Sequence, residues 1–170
     1  MIKQDISENQ VNIVYLALGS NLGNRIKNIE KAKLLLMKNN ISLISVSKYY
    51  ETASWPNPKN PKFINIVLKA KCLLNPNQLL NLCKSIEVKL GRKKTLKNSP
   101  RECDIDIIDF NSLILKGKLN LPHKRMHKRN FVLFPLFEIE KTWFHQLKKK
   151  NIKTLIFSLS NNDIRSIKQF

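Results

Sequence analysis

Two stretches with helical periodicity, each bracketed by β-branched apolar runs, constrain the fold of this chain more than any other feature. Residues 11–18 (VNIVYLAL) are apolar and closed by Gly19-Ser20-Asn21, which reads as a buried strand. Asn24 is placed to cap a helix over residues 25–38, with Ile26, Ile29, Ala32, Lys33 and Leu36 on or near one face. Residues 41–52 then read as one strand with Ile41, Leu43 and Val46 inward, and residues 63–73 as a third. Three prolines within residues 55–61 exclude regular structure between them. Asn75-Pro76 opens a second helix whose stripe is Leu79, Leu82, Cys83, Ile86 and Leu90, and Gly91 ends it. A fourth strand follows over residues 102–110. The order β-α-β-β-α-β predicts an α+β, ferredoxin-like domain: an antiparallel sheet with helices on one face.

Beyond that unit the pattern is thinner. Residues 113–121 resemble a short hairpin turning at Lys116-Gly117, and 131–139 are apolar enough for a buried helix despite Pro135. Residues 150–170 read as a peripheral tail holding a helix or strand, and residues 1–10 as a polar extension. Residues 11–170 are therefore expected to form one domain, the size at which a single core is sufficient.

Composition narrows the function classes. No apolar run approaches the ~20 residues of a membrane span, and residues 1–10 lack the apolar core of a signal peptide. Three cysteines without a CxxC pair exclude a disulfide framework and a zinc ribbon, so a cytoplasmic protein is expected. The formal charge of +19 invites a nucleic-acid reading. However, its 25 lysines are spread through every segment, as on a solvated surface, so no nucleic acid is expected as partner. The 6 arginines are more informative, because the planar guanidinium grips phosphate or carboxylate with two bonds.

The chemistry gathers around residues 102–109. Glu102, Asp104, Asp106 and Asp109 are four of twelve acidic residues, and Asp104 and Asp106 share one strand face about 6.5–7 Å apart at Cα. Such a pair suits Mg²⁺, a hard cation that takes oxygen ligands and substrate phosphates. The competing reading is a charged edge that prevents sheet-to-sheet pairing. If the two carboxylates stand side by side without metal they repel, so losing one is expected to spare the fold and add stability. Arg92, Lys93, Lys94, Lys97 and Arg101 precede the pair, and Lys118, His123, Lys124, Arg125, His127, Lys128 and Arg129 follow it. Cations around carboxylate-held Mg²⁺ are the equipment for polyphosphate transfer. No GxxxxGK[ST] loop is present, and nothing supports covalent catalysis. Phe63 and Phe131 flank the region and could sandwich a flat heterocycle, or simply pack in the core. Asn65 shares a strand face with Phe63 and could address a ring edge. A basic RNA-binding ferredoxin-like module is the rival, but it would need exposed aromatics where this chain offers carboxylates.

Four blocks carry a resemblance: residues 17–23 (ALGSNLG), Phe63-Ile64-Asn65, Pro100-Arg101 leading to Asp104-Ile105-Asp106-Ile107, and Pro122-His123 with Arg129 and Phe131. In unbroken order over residues 11–140 they resemble the 6-hydroxymethyl-7,8-dihydropterin pyrophosphokinase family of folate biosynthesis. The resemblance implies Mg²⁺-dependent transfer of diphosphate from ATP to the pterin hydroxymethyl group, giving AMP, with two ions held by Asp104 and Asp106. It implies pterin stacking by Phe63 and Phe131, with edge contacts from Asn65, Thr52, Ala53 and Trp55. Arg92, Lys94 and Arg101 match positions that engage the ATP phosphates. Lys84, Glu87, Ile107 (through its backbone), Lys118, His123 and Arg129 match nucleotide-lining positions. Phe63 stands where Tyr is common, Ala53 where Pro is, Lys94 where Arg is, and Asn98 where many members carry Trp. Residues 55–61 and 92–100 are the expected lids, and neighbouring folate enzymes are possible partners.

Overall fold

The computed structural model describes residues 10–54, 57–93 and 99–169. The polar residues 1–9, Trp55, Lys94, Lys97 and Asn98 lie outside the described residues. Strand β1 (Asn12–Ser20) leads into helix α1 (Arg25–Lys38), where the Asn24 side chain accepts from the Lys27 N–H at 3.0 Å. Strands β2 (Ser42–Val46), β3 (Tyr50–Thr52) and β4 (Phe63–Cys72) follow, then helix α2 (Pro76–Lys89) and strand β5 (Asp104–Phe110). A capping box closes the start of α2: Asn75 accepts from the Gln78 N–H while the Gln78 side chain accepts from the Asn75 N–H.

The sheet runs β5-β1-β4, with β2 and β3 sharing the far edge of β4, and every pairing among them is antiparallel. This is the expected strand order for two crossed β-α-β units. Even-numbered β4 residues Ile64, Ile66 and Leu68 join Leu16, Leu18, Ile105 and Ile107 beneath Ile29, Ala32 and Leu36 of α1 and Leu79, Cys83 and Ile86 of α2. Each fully buried side chain of this size contributes about 1.5–3 kcal/mol.

The expected single strand over 41–52 is two. Ser47 interrupts it: its N–H donates to the Val67 carbonyl at 2.9 Å while its hydroxyl accepts from the Val67 N–H at 3.0 Å, so a side chain replaces a ladder carbonyl. The hairpin expected over 113–121 reduces to one bridge between Leu115 and Leu121, around Gly117 at φ +143°. The second sheet face is not left open. Helix α3 (Asn130–Ile139) and helix α4 (Ile152–Phe157), with Trp143, bury Tyr15, Val67 and Ile108 there. The tail resolves into two elements after α4: α5 (Asn161–Ser166) and β8 (Lys168–Gln169), which pairs with β3 beyond the short hairpin β6 (Phe144–His145) and β7 (Lys150–Asn151).

Candidate active site

Alternation along three strands builds a floor on the second sheet face, beside α3. Gly19 of β1 lies between Asn65 of β4 and Asp104 of β5, and Ala17 lies opposite Asp106. Both floor residues are small, and at Gly19 the smallness is required. An added Cβ would meet Asn65 Oδ1 at 3.0 Å and a Phe63 ring carbon at 3.3 Å. Thr52, Ala53, Phe63 and Phe131 wall the resulting pocket. Asn65 is buried and its amide donates to Thr52 Oγ1 at 3.0 Å, tying the two candidate edge groups together. Three of the four expected edge groups, Asn65, Thr52 and Ala53, are therefore assembled around one pocket.

Arginines join this pocket to the carboxylates. Arg101 lies 5.3 Å from the centre of the Phe63 ring and donates to Asp104 Oδ2 at 2.8 Å. Arg129 lies 5.4 Å from the Phe131 ring centre and donates to Asp106 Oδ2 at 2.9 Å. Arg92 bridges Asp104 Oδ1 and Glu87 Oε2, both at 2.7 Å. Burial alone would raise the Asp104 carboxyl, but Arg101 and Arg92 outweigh it and hold the group below the ordinary carboxylate range. The bare carboxylates are thus compensated by cations, contrary to the expectation of unrelieved repulsion. His123 Nε2 stands 3.8 Å from Asp106 Oδ2, and burial lowers its imidazole below the usual histidine range. Its position follows from the backbone, where the His123 N–H donates to the Ile108 carbonyl at 2.9 Å.

On the other side of the carboxylates opens a cleft of about 640 Å³, lined by Lys84, Glu87, Arg92, Arg101, His123 and Arg129 among others. Glu87 is almost fully buried; it accepts from the Ile105 N–H at 2.8 Å, and burial pushes its carboxyl up. It anchors α2 to β5 and holds Arg92 at the cleft wall. Neither cavity is lined by Lys118, which sits on the exposed 116–119 turn, or by the Ile107 side chain, which points into the α1/α2 core.

Three contributors have no individual role assigned from the sequence, Arg125 being expected only as one of the surrounding cations. Arg125 lines both cavities. Gly19, which closes the first apolar run, forms the pocket floor with Ala17. Asn21 ties the site's loops: its side chain accepts from the Arg101 N–H at 2.8 Å and donates to the Pro61 carbonyl at 3.1 Å. The Gly-Ser-Asn run at the end of β1 was the available signal for Gly19 and Asn21. Asp109, by contrast, lines neither cavity: a bulge between Tyr15 and Leu16 sets it opposite Tyr15, toward Trp143. It accepts from Trp143 Nε1 at 2.8 Å and fastens the C-terminal cover. Among the described residues no group of three or more His, Cys, Asp or Glu side chains gathers as a metal cage. The donors at the junction are two carboxylates, which suits a hard cation completed by phosphate and water oxygens.

The arrangement can hold a flat ring between Phe63 and Phe131 and a polyanion in the cationic cleft, with the carboxylates where the two ligands would meet. The face an RNA-binding module would open is covered over much of its length by α3 and α4. Among solved structures the fold is similar to Plasmodium falciparum HPPK-DHPS with pterin and p-hydroxybenzoate, at TM-score 0.74 and 17% identity, covering 98% of this chain and 49% of that one. A pyrophosphokinase of Aquifex aeolicus, named for 2-amino-4-hydroxy-6-hydroxymethyldihydropteridine, is 40% identical over 141 residues, 82% of this chain and 88% of its own. The Bacillus subtilis protein of the same name is 41% identical over 130 residues, 75% of this chain and 78% of its own. A folic acid synthesis protein of Pneumocystis carinii is 35% identical over 167 residues, but this chain spans only 23% of it. A family model described as 7,8-dihydro-6-hydroxymethylpterin-pyrophosphokinase matches residues 15–141, three quarters of the sequence and every described site residue named above. On the match of sequence, fold and site together, this chain belongs to the 7,8-dihydro-6-hydroxymethylpterin-pyrophosphokinase family.

Proposed function

We propose that the protein transfers diphosphate from ATP to 6-hydroxymethyl-7,8-dihydropterin, giving AMP and the pterin diphosphate, as a cytoplasmic step of folate biosynthesis. One observation carries the reading: Asp104 and Asp106 stand on the shared boundary of an aromatic pocket and a cation-lined cleft. The pterin would lie between Phe63 and Phe131, its polar edge against Asn65, Thr52 and the backbone at Ala53. That edge provides the paired donor and acceptor pattern an amide side chain can match. The polyphosphate would lie along Lys84, Arg92, Arg101 and Arg129, with His123 at the inner wall.

Two Mg²⁺ ions are part of the proposal, with Asp104 and Asp106 as their protein ligands. Bound there, the metal would neutralise phosphate charge and lower the pKa of the pterin hydroxyl. The hydroxymethyl oxygen bonds to the β-phosphorus, the bond from that phosphorus to the oxygen bridging to the α-phosphate breaks, and AMP leaves with the bridging oxygen. The hydroxyl proton passes to solvent, since among the described residues no side chain stands as a dedicated base. Arg92 and Arg101 would turn from the carboxylates toward the charge developing on the transferred group. Trp55 and Lys94, expected to help, lie outside the described residues.

Calorimetric titration of hydroxymethylpterin tests the shared boundary. Pterin should bind more tightly when Mg²⁺ and a non-hydrolysable ATP analogue are present. Equal affinity with and without them would contradict two ligands meeting at one pair of carboxylates.

A further inference from the structure

We infer that residues 160–169 form a clasp that positions the two walls of the pterin pocket, acting through Asn130. The inference rests on the pocket assignment above and concerns a segment beyond residues 15–141, which the family model matches.

Three observations carry it. First, the segment touches both walls. Strand β8 pairs with β3 at Tyr50 and Glu51, directly before Thr52. Helix α5 meets the start of α3 at Asn130, directly before Phe131. Asn130 is 8% exposed, and its amide donates to the Asp163 carbonyl at 2.6 Å and to Ser166 Oγ at 3.1 Å, while its own oxygen accepts from the Phe131 N–H at 2.7 Å. Second, Tyr50 closes the loop between these elements. Its hydroxyl donates to Glu138 Oε2 of α3 at 2.9 Å and lies 3.5 Å from Gln169 Oε1 of β8. Thr52, Phe131, Asp163 and Ser166 consequently border one cavity of about 400 Å³ beside the pterin pocket.

Third, the segment contributes nothing to either hydrophobic core. No residue of α5 is buried, and both residues of β8 are exposed. Its docking rests on hydrogen bonds to groups one residue away from pocket side chains. A docked element with so little buried apolar surface opens at low free-energy cost. Whatever orders the walls therefore orders the clasp, and by linkage the clasp tightens the ligand that needs those walls. The nucleotide cleft, built from α2, β5 and the 121–129 segment, takes part in none of these hydrogen bonds and meets the 400 Å³ cavity only at Arg125 and Arg129.

The test compares the parent protein with Asn130→Ala and with a chain ended after residue 159. Affinity for hydroxymethylpterin is measured with Mg²⁺ and a non-hydrolysable ATP analogue present, affinity for the analogue alone, and Tm on the same samples. Both variants should bind pterin about tenfold more weakly, the scale of one lost buried hydrogen-bonded anchor. Analogue affinity should stay within about twofold, because that cleft is untouched. Unchanged pterin affinity, or equal weakening of both ligands, would overturn the clasp while leaving the pocket assignment standing. Failure of the parent to bind pterin, with the analogue still bound, would instead remove the pocket assignment and the clasp with it. Hydrogen exchange on the full chain decides the matter even if neither variant folds. Pterin should slow exchange at residues 163–169, and no slowing there overturns the inference.

Discussion

Replacing Asp104 by Asn separates two electrostatic accounts of the site. Viewed as one of two adjacent carboxylates, Asp104 should destabilise the metal-free fold, and its neutralisation should raise Tm. The geometry argues the opposite. Arg92 and Arg101 contact its two oxygens at 2.7 and 2.8 Å. The neighbouring carboxylate stands on a Cα about 6.5–7 Å away, so by simple distance scaling attraction exceeds repulsion about fivefold. Charge-assisted hydrogen bonds of this kind are worth about 1.5–3 kcal/mol each when well buried. Here the side chains keep 20–32% of their exposure, which lowers the net loss to about 1–3 kcal/mol. For a chain of this size that corresponds to a Tm lower by roughly 3–10 °C. Turnover should fall by about 10²–10³-fold, since a neutral amide is a poor substitute for an anionic oxygen on Mg²⁺. Scanning calorimetry without metal and AMP release at saturating Mg²⁺ read the two effects separately. A raised Tm would refute the ion-pair argument, and near-parent turnover would refute the metal assignment.

Other sites give independent tests. Gly19→Ala should weaken pterin binding by about 1–3 kcal/mol, because Asn65 and Phe63 must shift to admit the methyl group, and titration calorimetry would show it. Phe63→Ala and Phe131→Ala should each cost about 1–3 kcal/mol of pterin affinity through lost stacking. If those rings were only core, Tm would fall while the folded protein bound pterin normally. Glu140 tests the second-face packing. Its hydrogen bonds from Lys69 at 2.6 Å and Thr142 at 2.7 Å hold its carboxyl at about 2 against an ordinary 4.5. The stability it contributes is therefore present above pH 4.5 and lost as pH falls toward 2. Glu140→Gln should unfold at lower urea than the parent at pH 7, and the gap should shrink to roughly a quarter by about pH 2.5. A gap of the same size at both pH values would contradict this.

Much of the fold was legible because local signals agreed with one another. Asn24 and Asn75 mark both helix starts, and of the stripes expected after them Ile29, Ala32 and Leu36, and Leu79, Cys83 and Ile86, are buried, whereas Ile26 is exposed and Leu82 and Leu90 are partly buried. Period-two alternation correctly sets Asp104 and Asp106 on one face and Phe63 with Asn65 on the same side. What alternation could not reveal were departures from its own rule. The bulge at Ile108 turns Asp109 toward Trp143, and the Ser47 hydroxyl splits one strand into two. Residue types around the site pointed to phosphate, yet only the fold shows that Arg92, Arg101 and Arg129 hold the carboxylates themselves. The clasp was the least legible part, since a six-residue helix and a two-residue strand have too little periodicity to announce themselves.

The central claim is that Asp104 and Asp106 mark the point where the pterin and the polyphosphate react. The direct measurement is the nucleotide product formed from ATP and Mg²⁺, with and without 6-hydroxymethyl-7,8-dihydropterin. Attack at the β-phosphorus predicts AMP, released only when the pterin is present and in equal amount to the pterin diphosphate. Formation of ADP, or ATP consumption at the same rate without pterin, would contradict the account.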